Sequence, residues 1–325
     1  MVPHRRFRVQ VRSFYTDVPS DRLQLAWFDR SGKMLSTIGD PQRQNSPTLS
    51  PDGHKLAVEV SEGDSDIWIY DLDRVIKSRF TFDSSVELIG AWNASGDEIL
   101  YSSYHNGNFD IFSKPIGGNG EAKLLASTPV DKRAADWSNE RFVIYTANRR
   151  ETKGDLLYRE RRKDGSLGEE MTFIQTPFNE NAAQFSPDRN FVAYVSDESG
   201  RNEVYVRDFP KGANKWQISV NGGVAPRWRR DGKEMFYVER QKLMAVTVTI
   251  RPGFSPGKPA PLFEKRSLQA VYPNYDATAD GQRFIVLDKL NEQPLLIPSC
   301  TTGSKNFAAD SRRHTEMSQS AGATN

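Results

Sequence analysis

A ten-residue phrase recurs along this chain of 325 residues and narrows the folds open to it. Leu49-Ser-Pro-Asp-Gly-His-Lys-Leu-Ala-Val58 returns as Phe185-Ser-Pro-Asp-Arg-Asn-Phe-Val-Ala-Tyr194. Looser copies begin at Trp92, Trp228 and Ala277, and a copy one residue short begins at Trp137. The leading residues stand 43 to 49 positions apart, and the distance from each to its Tyr or Val is nearly constant. Scattered apolar residues do not hold such a register six times, so the chain is a repeat array.

Each unit reads as four short strands. Residues 45–50 lead into a turn at Pro51-Asp52-Gly53, where proline presets φ and glycine accepts a positive φ. Lys55 to Val60 is apolar and β-branched, Asp66 to Leu72 alternates, and Ser78 to Phe82 alternates again. The matching fourth strands are expected at Lys123 to Ala126, Met171 to Gln175, Lys215 to Val220 and Pro261 to Glu264. No window holds a helical period of useful length. Four-stranded units at this spacing define an all-β chain, a β-propeller of four-stranded antiparallel blades. Leu23 to Asp29 and Lys33 to Ile38 read as third and fourth strands without a first, and Tyr272 to Asp288 supplies a first and second. N- and C-terminal strands together therefore close the ring, giving six blades. Seven is the alternative if Val11 to Tyr15 and Pro294 to Pro298 each add a strand. The expected organisation is an irregular segment over 1–20, the propeller over 21–298 and a disordered tail over 299–325.

Composition excludes several classes of function. Formal net charge is +2, without the basic excess of a duplex binder, so no nucleic-acid partner is expected. One cysteine, Cys300, cannot form an intramolecular disulfide, and the four histidines are scattered, so no metal or cofactor is expected. No apolar run is long enough to span a membrane. Met1 to Arg12 is basic but is not followed by the apolar stretch of a secretory signal, which suggests a cytoplasmic chain or a fragment whose start lies upstream.

The Ser-Pro-Asp-Gly turn, followed by Asp-Ile-Trp or Glu-Val-Tyr opening the next strand, resembles the WD-repeat-like propeller family. That family includes TolB, the propellers of prolyl oligopeptidase-like enzymes and propellers fused behind bacterial serine/threonine kinases. Leu25 to Lys33, Gln184 to Arg201 and Pro226 to Glu234 are most similar to the kinase-fused type. The resemblance covers about Leu23 to Leu296. It implies a non-catalytic scaffold binding a protein or peptide, the sensory region of a receptor-type kinase, in an extracytoplasmic or periplasmic setting. As a separate ring it is expected to be monomeric. A TolB-like periplasmic partner-binding protein is one alternative. A propeller hydrolase or lyase with its active site at the channel mouth is another. The family's last blade continues as an apolar strand, whereas here Leu296-Ile-Pro gives way to Ser299 to Lys305. Residues after about 298 are accordingly expected to be out of the natural reading frame.

Enzyme motifs are missing. There is no Gly-x-Ser-x-Gly elbow, no His-Arg-Asp and no Asp-Phe-Gly. Asp64-Ser-Asp66 lacks the glycine and distal glutamate of a calcium loop. Asp66 instead aligns with Asp110, Asp155 and Glu203 at the mouth of the third strands, where a carboxylate is expected to accept N–H bonds from the preceding loop. Asn93-Ala-Ser95 matches a glycosylation acceptor but falls on a repeat turn. Trp92, Trp137, Phe185 and Trp228 form one column with Leu49 and Ala277, the pattern of inter-blade packing. The column just before it reads Thr48, Ala91, Asp136, Gln184, Arg227 and Asp276. Variable polar residues on innermost strands would line the channel and read a ligand, which makes Asp136, Gln184, Arg227 and Asp276 the binding candidates. A solvated channel without a ligand is the competing reading.

Overall fold

The computed structural model describes residues 22–289, except 63–64, 106, 118–119, 128, 139–140 and 269–272. Within them, six antiparallel sheets follow one another around a channel. With strands lettered a to d outward, blade 1 is Gln44–Leu49, Lys55–Ser61, Ser65–Asp71 and Ile76–Arg79. Blade 2 is Glu87–Trp92, Glu98–His105, Asn108–Pro115 and Lys123–Ala126. Blade 3 is Lys132–Ser138, Phe142–Arg149, Lys153–Glu160 and Met171–Ile174, and blade 4 is Asn181–Phe185, Phe191–Ser196, Glu203–Asp208 and Lys215–Gln217. Blade 5 is Val224–Trp228, Glu234–Glu239 and Lys242–Thr249, the last flanked by Ser255–Pro256 and Ala260–Glu264.

Blade 6 is composite. Tyr275–Ala277 and Arg283–Asp288 supply strands a and b; Leu23–Asp29 and Met34–Gln42 supply c and d. The closing register runs from Gln24 opposite Asp288 to Asp29 opposite Arg283. The ring is thus complete with six blades. The segments Val11 to Tyr15 and Pro294 to Pro298, the stretch 1–20 and the tail after 298 lie outside the described residues.

Second strands are buried on both faces because each is enclosed by the two adjoining blades; all six residues of Phe191–Ser196 are buried. Lys123–Ala126 falls where expected, whereas two fourth strands end three residues early. In blade 1 strand d is Ile76–Arg79 rather than Ser78 to Phe82, and in blade 4 it is Lys215–Gln217 rather than Lys215 to Val220. The reason recurs: the N–H groups of Phe80 and Thr81 both turn onto the Ile67 carbonyl, and those of Ile218 and Ser219 onto Val204. Each chain thereby leaves the sheet edge, and Phe82 and Val220 emerge exposed.

The turn between strands a and b forms as the sequence indicates. Gly53 has a φ of 77°, and Asp52 Oδ1 accepts from Ser50 Oγ and from the His54 N–H at 3.0 Å, next to Pro51. In blade 4, Arg189 takes this left-handed position with φ 63°. Asn93 is buried in its turn, donating to Asp97 Oδ1 and accepting from the Asp97 and Glu98 N–H groups.

Acids at the mouths of the third strands are tied forward, to the exit of strand d, and Asp155 and Glu203 also accept from side chains of the loop before them, Thr152 and Arg201. Asp66 meets Arg79 at 2.8 Å, Asp110 accepts from Ser127, Asp155 from Gln175 and Glu203 from Ser219. Among the described residues only Glu203 of these takes a backbone N–H, from Gly222 in the following loop. Each carboxylate so holds the outer strand against the third.

Candidate functional site

The aromatic column and the polar column before it form the joints between blades. Trp92 Nε1 donates to the Thr48 carbonyl of the previous blade at 2.9 Å, Trp137 to Ala91 at 3.2 Å and Trp228 to Gln184 at 3.2 Å. Where the next blade offers Phe185 or Leu49 there is no indole, and the preceding residue is an aspartate. Asp136 Oδ2 accepts the Phe185 N–H at 2.8 Å and Asp276 Oδ2 the Leu49 N–H at 2.8 Å. Their other oxygens accept the N–H groups of Trp137 and Ala277. At the last joint Arg227 Nε meets Asp276 Oδ1 at 3.2 Å.

This arrangement separates the four candidates. Gln184 and Arg227 border the central cavity; Asp136 and Asp276 do not, and their carboxylates bind backbone. Burial pushes Asp136 up to about 7, against the Phe185 and Trp137 N–H groups, and also raises Asp276, against Arg227. With its amide oriented to satisfy both neighbours, Gln184 donates to the Pro226 carbonyl at 3.0 Å and accepts from Arg227 Nη1 at 3.1 Å.

The cavity has a volume of about 470 Å³. Its lining comes from strands a, from the turns joining strands b and c, and from the connections between blades, so its mouth opens at the end carrying those loops. Thr48, Gln184 and Arg227 lie deepest along strand a. Bulges shape the wall: Ser46, Ala182 and Ala225 each take a φ of 52° where strand a loses register with strand b. At the equivalent positions of blades 2 and 3 the backbone N–H is captured instead, Ile89 by Glu59 Oε1 at 2.8 Å and Ala134 by Ser102 Oγ at 2.7 Å. Glu59 is buried, which pushes it up to about 7 against the Ile89 N–H and the Arg133 charge.

Sequence reasoning missed the wall itself. Asn148, Asn179, Asn181 and Asn202 border the cavity, and their side-chain amides make no hydrogen bond among the described residues. They fall in or beside loops whose lengths differ between blades, so no repeat register picks them out; the only signal is the density of asparagine around Asn179-Glu-Asn181. Among the described residues, charge in the lining is limited to Arg133, Arg227 and Asp131, and Asp131 Oδ1 accepts the Phe109 N–H at 3.0 Å. Among the described residues no cluster of three His, Cys, Asp or Glu side chains could hold a metal ion, and no helix is long and apolar enough to cross a membrane.

The fold and its channel place the chain in the class of six-bladed β-propellers. No protein-family profile and no curated protein matches its sequence. Solved structures do. A TolB-type protein from Agrobacterium tumefaciens aligns with a TM-score of 0.64 at 16% identity, over 83% of this chain and 98% of that one. TolB from Acinetobacter baumannii aligns with a TM-score of 0.55 at 18% identity, over 76% and 67%. An oligogalacturonate lyase crystallised with manganese aligns with a TM-score of 0.52 at 12% identity, over 83% and 97%. At these identities the likeness is one of fold.

Proposed function

We propose that this chain is a non-catalytic propeller platform whose channel mouth takes an extended segment of a protein partner. The observation that carries this reading is the arc of four asparagine amides, on blades 3 and 4 and the connection between them, that make no hydrogen bond among the described residues. Each offers a donor and an acceptor together, the pairing that a peptide backbone presents. Phe178 and Val220, exposed on the connections beside the mouth, offer apolar contact to the partner's side chains. A hydrolase or lyase needs a free acid or base in the lining; Asp131 is bonded to backbone, and Asp136 and Asp276 serve the blade joints. By the resemblance of Leu25 to Lys33 and Pro226 to Glu234 to kinase-fused propellers, we read the platform as the sensory region of a bacterial receptor-type serine/threonine kinase.

A phage-displayed library of random peptides, selected on the full chain, tests the reading. Enriched peptides are expected to bind Asn181→Leu and Asn202→Leu about tenfold more weakly, the loss of one to two net hydrogen bonds, while the thermal midpoint holds. Peptides that bind parent and variants alike, or a selection that enriches none, would overturn it.

A further inference from the structure

A second surface lies on the outer wall, away from the channel. Strand d of blade 1, Ile76–Arg79, is an edge strand with no partner beyond it among the described residues. Beside it a cleft of about 390 Å³ runs to the end of strand c of blade 2. Lys55, Arg74, Arg79 and Lys114 border the cleft, against one acid, Asp71. Asp71 is engaged locally, its Oδ1 accepting the N–H groups of Asp73 and Arg74. Arg79 is held by Asp66 at 2.8 Å, and Arg74 stands 4.0 Å from Asp71. Lys55 and Lys114 have no carboxylate within ion-pair distance among the described residues. The floor is apolar: Phe82 is 67% exposed and Ile76 55%. The Lys114 ammonium and Arg79 guanidinium lie 5.5 and 5.3 Å from the Phe82 ring centre.

Cations crowded over an exposed aromatic, in a cleft between two blades, define the occupant by complementarity. We propose that this cleft docks an extended acidic peptide segment of another protein, one that carries an aromatic or large aliphatic side chain. The segment lies over the sheet face that Lys55, Asp71 and Ile76 share, where the lysines and Arg74 meet its carboxylates and Phe82 with Ile76 receives the apolar side chain. This chain's own ends do not fit. Residues 1–21 carry Arg5, Arg6, Arg8 and Arg12 and repel the cleft, and residues beyond 290 balance their acids with basic residues.

The test uses fluorescence anisotropy with the full chain and a labelled probe, Glu-Asp-Glu-Trp-Glu-Leu-Asp-Glu, in low salt. Binding is expected to fall about tenfold in Lys55→Glu/Arg74→Glu, severalfold in Phe82→Ser, and again between about 50 and 200 mM salt as screening grows. The Arg74 side chain is 78% exposed and Phe82 67%, and a thermal melt of each variant checks the half-buried Lys55. A second double variant, Arg150→Glu/Lys163→Glu, removes equal charge from exposed sites elsewhere and should leave binding unchanged. Absence of binding overturns the proposal, as does equal loss in both double variants. Equal affinity for a probe with Trp and Leu replaced by Ser also overturns it, since charge alone would then suffice. So does attachment to phosphatidylserine vesicles that depends on Lys55 and Arg74 when probe binding does not, because the surface would then be lipid-directed.

Discussion

A carboxyl group enclosed between blades ionises at a cost, and at Glu59 that cost makes stability depend on pH. Its Oε1 accepts the Ile89 N–H, yet burial outweighs that bond and raises the group from 4.5 to about 7. In the folded chain the proton stays on until about pH 7, whereas in the unfolded chain it leaves near the ordinary value. Between those limits the unfolded state binds fewer protons, so this site's contribution to stability falls as pH rises. Glu59→Gln keeps an oxygen for the Ile89 N–H and removes the titration. Chemical denaturation of both proteins at pH 5 and pH 8 should show the difference in stability moving in the variant's favour by about 2 kcal/mol. Parallel pH profiles would show that Glu59 does not ionise in this window. Asp136, raised to the same region by burial, works in the same direction.

The strand a joint explains a pattern that letters alone leave ambiguous. A tryptophan column is legible because its demand is one-sided: the indole needs only a backbone carbonyl, which every residue has. Asp136 and Asp276 are legible as acids but not as clips, because their partners are the N–H groups of Phe185 and Leu49 in the next blade. The rule joining the columns, aspartate where the following blade offers Phe185 or Leu49 and an arginine paired with Asp276 where it offers Ala277, appears only once the blades are set side by side. Turn residues such as Pro51 and Gly53 were legible for the opposite reason, since their conformation is local. The joint makes unequal demands on one column. Asp136→Ala leaves the Phe185 and Trp137 N–H groups without their acceptor and should cost about 1–3 kcal/mol. Thr48→Ala, at the equivalent place, should cost about 0.5–1 kcal/mol, because Trp92 uses the Thr48 carbonyl and only the hydroxyl's bond to the Ser46 carbonyl is lost. Trp92→Phe, which keeps the ring and loses the donor, should cost about 1 kcal/mol. Urea unfolding of the three variants checks the order; equal costs for Asp136→Ala and Thr48→Ala would dismiss the clip.

At the scale of the whole ring, stability depends on one seam. Strand c of blade 6 comes from the start of the described chain and strand b from its end, paired over six residues from Gln24 to Asp29. Leu23, Leu25, Phe28 and Ile38 are buried there, with Ile285 and Leu287 packed in the same cluster as Leu25 and Ile38. Burying one large apolar side chain contributes about 1.5–3 kcal/mol, so four contribute roughly 6–12 kcal/mol. A domain's net stability is about 5–15 kcal/mol, which makes the seam comparable with the whole margin. Removal of residues 1–42 should therefore abolish the cooperative thermal transition and not merely lower its midpoint, with loss of the near-ultraviolet circular dichroism of the packed aromatics. A synthetic peptide of residues 22–42, added in trans, should restore the transition in a concentration-dependent way, since it binds only the folded ring. A truncated chain that still melts cooperatively without the peptide would mean that blades 1 to 5 hold their arc unaided. The asparagine arc would then be built independently of closure, because Asn148, Asn179, Asn181 and Asn202 all belong to blades 3 and 4 and the connection between them.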